Sequence, residues 1–192
     1  MKSIVKTIAQ LIFALLALPL VLLYWLFSAL GNKNAVLASF SQLLSLLPGM
    51  LGVYFRAGFY RYTLSHCSPD AVISFATLLC QQNISIHQGV YIGPQCNIGK
   101  CEIGKDTLLG SGVHIMSGKG QHNISDSDTP IKHQGGSFTK VKVGENCWLG
   151  NGALIMADVG NNSVVAAGAV VINDVPSNSI VAGNPATVIK KR

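Results

Sequence analysis

The chain has 192 residues, 49% hydrophobic and 11% charged, a balance that excludes a disordered protein or one that coats nucleic acid, because both need few apolar and many charged side chains. Its net charge of +6 is uneven. Residues 1–61 carry Lys2, Lys6, Lys33, Arg56 and Arg61 with no acid, whereas residues 62–192 hold 9 basic and 8 acidic side chains, so the basic excess sits beside apolar runs and points to a membrane surface, with no nucleic-acid partner.

Leu11 to Gly31 is an uncharged, leucine-rich run of 21 residues, enough as a helix to span the roughly 30 Å hydrocarbon core of a bilayer. Tyr24 and Trp25 lie toward its far end, where amphipathic rings favour the interface. Pro19, near the middle, removes one backbone hydrogen bond and admits a kink or re-entrant bend. The run is longer than the apolar core of a secretory signal, so an anchor is expected. A second uncharged stretch, Ala35 to Phe55, places Leu37, Phe40, Leu44 and Leu47 at helical spacing with serines between them. This predicts an amphipathic helix in the interface or returning through the bilayer, ended by Pro48-Gly49. Two cations before the first segment, one between the segments and two after the second place both ends on the cytoplasmic side. Residues 1–61 are thus expected to form a membrane anchor and residues 62–192 a cytosolic domain. The odd set Cys67, Cys80, Cys96, Cys101 and Cys147, without a C-x-x-C pair, indicates no disulfide framework or structural zinc and fits a reducing compartment.

From residue 80 onward an aliphatic residue returns every six positions: Ile86, Ile92, Ile98, Ile103 after one step of five, Leu109 and Ile115, then Val143, Leu149 and Ile155, and after a shortened step Val159, Val165 and Val171. A period of six fits neither a helix nor simple strand alternation and is the signature of a parallel β-helix. Each hexapeptide makes a strand and a corner, three make a turn, and the aliphatic residue stacks on its equivalents above and below. Two residues earlier runs a column of mostly small residues that includes Cys96, Cys101 and Cys147, which are therefore read as buried fillers and not nucleophiles. The period breaks at Ser117–Lys140, a 24-residue insertion containing His122 and His133; an unpatterned segment of this length inside a compact array is usually functional.

The hexapeptide series, the loop Gly112-Val113-His114-Ile115-Met116-Ser117-Gly118-Lys119-Gly120-Gln121-His122, the segment Cys147-Trp148-Leu149-Gly150-Asn151-Gly152-Ala153 and the ending Gly183-Asn184-Pro185-Ala186 together resemble the hexapeptide-repeat acyltransferases. Within that superfamily they are similar to the maltose/galactoside O-acetyltransferase branch and its relatives in bacterial polysaccharide modification. The resemblance covers roughly residues 80–192. It implies a mainly β fold, a left-handed parallel β-helix here preceded by a membrane-associated helical segment, assembled as a homotrimer with an acyl-CoA site in each cleft between neighbours. Carried over by position, His122 is the general base, and an imidazole of pKa about 6.5 is suited to take a proton from a sugar hydroxyl as it attacks a thioester. His114, just before an inward aliphatic residue, points outward and contacts the acceptor. His133, His66 and His87 are read as structural or exposed.

On the cofactor side the resemblance assigns Trp148 and Asn151 to the pantetheine arm, Ala167 and Gly168 to a backbone contact, Ile172 and Asn173 to the next turn, and Lys190, beside Lys191 and Arg192, to a CoA phosphate. Acetyl-CoA is the expected co-substrate and no metal is required. Two departures matter. Ile172, Asn173 and Thr187 stand where the family has basic or threonine residues, and the Asn/Asp pair that holds a small sugar is not recognisable between Val90 and Asn97, so a maltose or galactoside acceptor is not expected. An anchor beside a CoA site implies instead a lipid-linked glycan or surface-polysaccharide precursor at the cytoplasmic side of a bacterial inner membrane. The alternatives are a non-catalytic trimeric membrane scaffold and a γ-carbonic-anhydrase-like metalloenzyme, for which the intervals of 27 residues from His87 to His114 and 8 to His122 do not resemble that family's pattern of a long gap and then a short one of about five between its three zinc-binding histidines.

Overall fold

A computed structural model describes residues 2–192. Three helices open the chain: α1 (Lys2–Leu30), α2 (Lys33–Ser45) and α3 (Gly49–Thr63). On α1, Ala14, Ala17, Val21 and Tyr24 recur every three or four residues and are buried, while Leu15, Leu22, Leu26 and Phe27 on other sides are exposed. Ile4–Leu30 is long and apolar enough to cross a membrane by length and composition. The α1 stripe is small because α3 crosses it closely: a Cβ on Gly58 would come within 2.9 Å of the Phe13 carbonyl oxygen and 3.0 Å of Ala14 Cα. Asn32 caps α2, its Oδ1 accepting from the N–H groups of Asn34 and Ala35.

Two expectations for this region change. The helix predicted to end at Pro48-Gly49 does end there, but Pro48 is also the N-cap of α3, a helix that the sequence reading leaves out. Arg56, counted as a free cation in the topology argument, is fully buried. Its Nε donates to the Ile73 carbonyl at 2.8 Å, and its Nη1 donates to the carbonyls of Leu44 at 3.0 Å and Leu47 at 2.8 Å. Leu44 lies in the last turn of α2, where its carbonyl also accepts from the Leu47 N–H, and Leu47 follows the helix, so the guanidinium reinforces the helix end while tying it to a strand. The positive-inside count past the second apolar stretch therefore rests on Arg61.

From His66 the chain winds as a parallel β-solenoid of three faces. The first face stacks His66–Cys67, Ser85–Ile86, Cys101–Ile103 and Val141–Val143, and isolated bridges Val143–Val159–Val175 continue it. The second stacks Val72–Ile73, Tyr91–Ile92, Leu108–Leu109, Trp148–Leu149, Val164–Val165 and Ser179–Gly183. The third stacks Leu78–Leu79, Asn97–Ile98, His114–Ile115, Leu154–Ile155 and Val170–Val171. Both inward columns read from the six-residue period are buried along their whole length. Each aliphatic member contributes about 1.5–3 kcal/mol by leaving water. The winding starts one coil earlier than the sequence reading places it, with Cys67, Ile73 and Leu79 inside.

The corners need backbone with positive φ. Between the first and second faces Asp106, Asn146, Asn162 and Asn178 supply it, residue types that tolerate the left-handed region. Between the second and third faces Gly112, Gly152 and Gly168 do so.

The two ends of the solenoid are closed differently. At the first coil the Ala76 N–H donates to the Ser45 carbonyl at 2.9 Å, the Leu79 N–H to Ser41 Oγ at 2.8 Å and the Gln82 N–H to Asn34 Oδ1 at 2.9 Å. Tyr60 Oη also donates to Ser41 Oγ. At the last coil, Ala186–Lys191 turns back antiparallel on Ser179–Gly183. Lys190 and Lys191 are part of this exposed strand and Arg192 follows it: Lys191 Nζ reaches Ser179 Oγ, and Arg192 donates to the carbonyls of Asn146 and Asn178.

Replacing Arg56 by methionine keeps bulk but removes three charge-assisted hydrogen bonds to the carbonyls of Ile73, Leu44 and Leu47, so chemical denaturation should show a loss of about 3 kcal/mol or more. Arg61→Met, on the exposed side of the same helix, should stay within about 0.5 kcal/mol of wild type.

Candidate active site

His114 is the outward residue of its strand on the third face and stands in register between Asn97 and Leu154. Immediately after that strand the insertion leaves the solenoid. It folds as a hairpin: Thr139 N–H donates to the Ser117 carbonyl, Ser137 N–H to Gly120 and Asn123 N–H to Gly135. Gly136 lies across from the turn of chain carrying His122, where a Cβ would sit 2.1 Å from the Gln121 oxygen and 2.8 Å from the His122 nitrogen. Farther out, Asp126 Oδ1 accepts from the N–H groups of Asp128 and Thr129, and the Thr129 hydroxyl, with these N–H groups, lowers its carboxyl pKa from the ordinary value. Gln134 Nε2 donates to the carbonyls of Asp126 and Thr129. Lys100 ties the base of the hairpin down, its Nζ donating to the Phe138 carbonyl at 2.9 Å and its N–H to Ser117 Oγ at 2.9 Å. The insertion is therefore an ordered flap and not an unstructured loop.

A cavity of about 260 Å³ opens where flap and face meet, lined among others by Asn97, His114, Met116, Gln121, Phe138 and Leu154. His114 faces this space. His122, the expected general base, is exposed on the flap one residue beyond Gln121. Sequence reasoning missed Gln121 and Phe138 as lining residues, since only the folding of the flap brings them to the face; both lie inside the segment flagged by the broken period.

The expected cofactor residues fall into three places. Trp148 is exposed on the second face, in register with Leu108 and Val164. Asn151, Ala167 and Gly168 share the corner between the second and third faces, joined by the Gly168 N–H to Asn151 carbonyl bond at 2.9 Å. Asn151 also braces this corner, its Oδ1 accepting from the Ser111 N–H at 3.1 Å. Gly168 has φ +69° and nothing within 4 Å of where a Cβ would be, so the backbone there is open to a ligand. Ile172 and Asn173 lie past the opposite edge of the third face, and Lys190 pairs with Ile180 in the final hairpin. Trp148 and the glycine corner are neighbours around one edge of the prism; Ile172, Asn173 and Lys190 are not brought to them within a single chain.

Three elements were set aside as non-catalytic or inert. His66 and His87 lie on the first face with ring centroids 5.1 Å apart, and His87 Nε2 is 3.1 Å from Glu102 Oε1. Lys140, the last flap residue, donates to Ser85 Oγ at 2.9 Å and lies 3.9 Å from Glu102 Oε2, so this cluster anchors the return of the flap. The cysteines are free thiols, four of them buried. Burial pushes Cys67 up to about 12, with the Asp70 charge adding to the shift, and also raises Cys96, Cys101 and Cys147. Among the described residues no three His, Cys, Asp or Glu side chains converge as metal ligands.

The comparisons agree with this architecture. The family described as the hexapeptide repeat of succinyl-transferase matches residues 140–172. No curated protein sequence matches significantly. A maltose O-acetyltransferase from Clostridium difficile superposes with a TM-score of 0.69 at 23% identity, over 85% of this chain and 90% of that one. A hexapeptide-repeat-containing acetyltransferase from Vibrio cholerae gives 0.66 at 20%, over 84% and 93%. A variant of an N-acyltransferase from Bacillus cereus, solved with an amino-dideoxyglucose nucleotide and coenzyme A, gives 0.56 at 17%, over 64% and 70%.

An unfolded thiol ionises near its ordinary value of 9.0, whereas Cys67 in the fold keeps its proton to about 12. The stability that its neutral form contributes is complete below pH 9 and should drain away as pH rises toward 12, which urea titration at stepped pH measures. Thiol labelling at pH 8 should reach Cys80, the half-buried one, before any other. The chain thus has the parallel β-solenoid fold of these solved acetyltransferases, and residues 140–172 match the hexapeptide-repeat family.

Proposed function

We propose that the protein is an acetyl-CoA-dependent O-acetyltransferase acting on a sugar hydroxyl of a lipid-linked glycan or surface-polysaccharide precursor at a membrane. The observation that carries this reading is the cavity where the ordered flap meets the third face, lined by His114 on the face and Gln121 on the flap, with His122 exposed on the flap one residue beyond Gln121. His122 takes the hydroxyl proton while the alcohol oxygen attacks the thioester carbonyl, and the thiolate of CoA leaves. The proton held on the imidazole then passes to the departing sulfur, so His122 returns neutral and no acyl-enzyme forms. His114 orients the acceptor. Trp148 and the open corner of Asn151, Ala167 and Gly168 lie along one edge of the prism, where the pantetheine arm is placed, and backbone N–H groups supply the oxyanion contact.

The separated cofactor residues are reconciled by a homotrimer, in which Ile172, Asn173 and Lys190 of one protomer complete the cleft of its neighbour. Unequal polarity of the faces supports lateral contact. The first face displays His66, Glu102 and Lys142, whereas the second displays Tyr91, Leu108 and Trp148, all more than a third exposed, an apolar surface of the kind that marks an interface. The exposed apolar sides of α1 support attachment to lipid, with the solenoid on the side where acetyl-CoA is available.

His122→Ala should lower kcat by roughly 10² to 10⁴ with acetyl-CoA affinity little changed; a loss of tenfold or less would transfer the role of base to His114. Leu108→Asp should convert the trimer to monomers in light scattering and abolish turnover, and a variant that stays trimeric would remove the second face from the interface. Absence of coenzyme A binding by calorimetry would leave a non-catalytic trimeric scaffold as the function.

A further inference from the structure

The cavity beside His114 does not end at the flap. Cys80, Gln81 and Phe138 line it on one side and line a second cavity, of about 530 Å³, on the other. The far wall of this second space is the start of α2, with Asn34, Ala35 and Ala38, and its floor holds Asn83 and Lys100. The two spaces therefore make one trough that runs from His114, past the Phe138 ring, to Asn32. Asn32 lies two residues after the end of α1, the helix long enough to cross a bilayer.

Three features define what the trough can hold. Lys100 is the one lining side chain with a fixed charge, and neither cavity is lined by a carboxylate. Its ammonium has three donors and spends one on the Phe138 carbonyl. Gln81 stands at the junction of both cavities with no hydrogen-bond partner for its side-chain amide among the described residues. The trough is thus free of negative charge, mainly apolar beside His114 and more polar beside Lys100, where it borders the start of α2.

Resting on the reading of the protein as an acyltransferase for a lipid-borne sugar, we propose that this trough is the acceptor's binding track. The sugar to be acylated lies beside His114, its phosphate link lies against Lys100 and Gln81, and its hydrocarbon leaves past Asn32 along the exposed side of α1. The ligand class is a glycosyl lipid phosphate. A soluble sugar phosphate shares the anionic contact but lacks the part that continues to the membrane.

Two variants at the α2 wall test this, Ala38→Trp, which fills the trough, and Ala35→Glu, which sets a carboxylate against the phosphate. The full-length protein in detergent is assayed with acetyl-CoA and three acceptors: a free hexose, a hexose 1-phosphate, and a hexose joined through phosphate to a polyprenyl chain. Both variants should lower the ratio of kcat/KM for the polyprenyl-linked acceptor over free hexose at least tenfold, through KM. The hexose 1-phosphate should respond to Ala35→Glu and far less to Ala38→Trp. An unchanged ratio in both variants overturns the proposal. Direct binding of the polyprenyl-linked hexose by native mass spectrometry reads the trough apart from chemistry. Binding weakened tenfold in both variants supports the track even if no acetyl is transferred, an outcome that would instead remove the acyltransferase reading; equal binding in wild type and variants removes the track.

Discussion

Every other feature of this protein depends on one constraint: a β-solenoid has no core until one coil lies on another. A coil of three two-residue strands buries nothing by itself. Its inward Ile, Leu or Val leaves water only against the coil above and the coil below, and its backbone N–H groups are paired only by the next coil. The regular six-residue spacing is the covalent expression of that requirement. So are the mostly small residues of the second column, with Cys96, Cys101, Thr107 and Cys147 all buried inside the stack. The same constraint places outward side chains in register, which is how His114, Asn97 and Leu154 come to share a surface without any local sequence relation.

A stack of this kind leaves its first coil uncovered, and the helices exist in their observed arrangement because they cover it. Ser41, Ser45 and Asn34 of α2 receive the first coil's backbone N–H groups. Arg56 of α3 binds the Ile73 carbonyl together with the carbonyls of Leu44 and Leu47 at the C-terminal end of α2. The helical segment is therefore fixed to the prism, and the direction in which α1 leaves it is fixed too. A rigid offset between apolar helix and flap is what allows one trough to run between them.

Much of this was legible in the sequence because stacking imposes a period. Both inward columns, the insertion and the buried cysteines follow from counting residues. The first coil escaped notice because Cys67, Ile73 and Leu79 are followed by Ser68, Ser74 and Cys80, not by glycine; glycine is demanded only where the next corner comes close, as at Gly93, where a Cβ would lie 2.8 Å from Gly110 carbon. Helix α3 was missed because Pro48-Gly49 reads as the end of the helical stretch and Arg56 as a free cation, whereas burial against carbonyls and a close helix crossing give each of Arg56 and Gly58 a role that only tertiary contact defines. The candidate site was half legible. His114 and His122 could be named from the resemblance, but Gln121, Phe138 and Gln81 meet them through the fold of the flap and the approach of α2, which no spacing encodes.

The reversed final strand has a consequence for how many molecules can associate end to end. Parallel coils grow by adding identical coils, so two bare ends would let separate molecules join coaxially into filaments of unlimited length. Here one terminus of the prism is occupied by helices and the other by Ala186–Lys191 running the opposite way, a direction that offers an arriving parallel coil no matching ladder. Polymerisation along the axis is blocked at both poles.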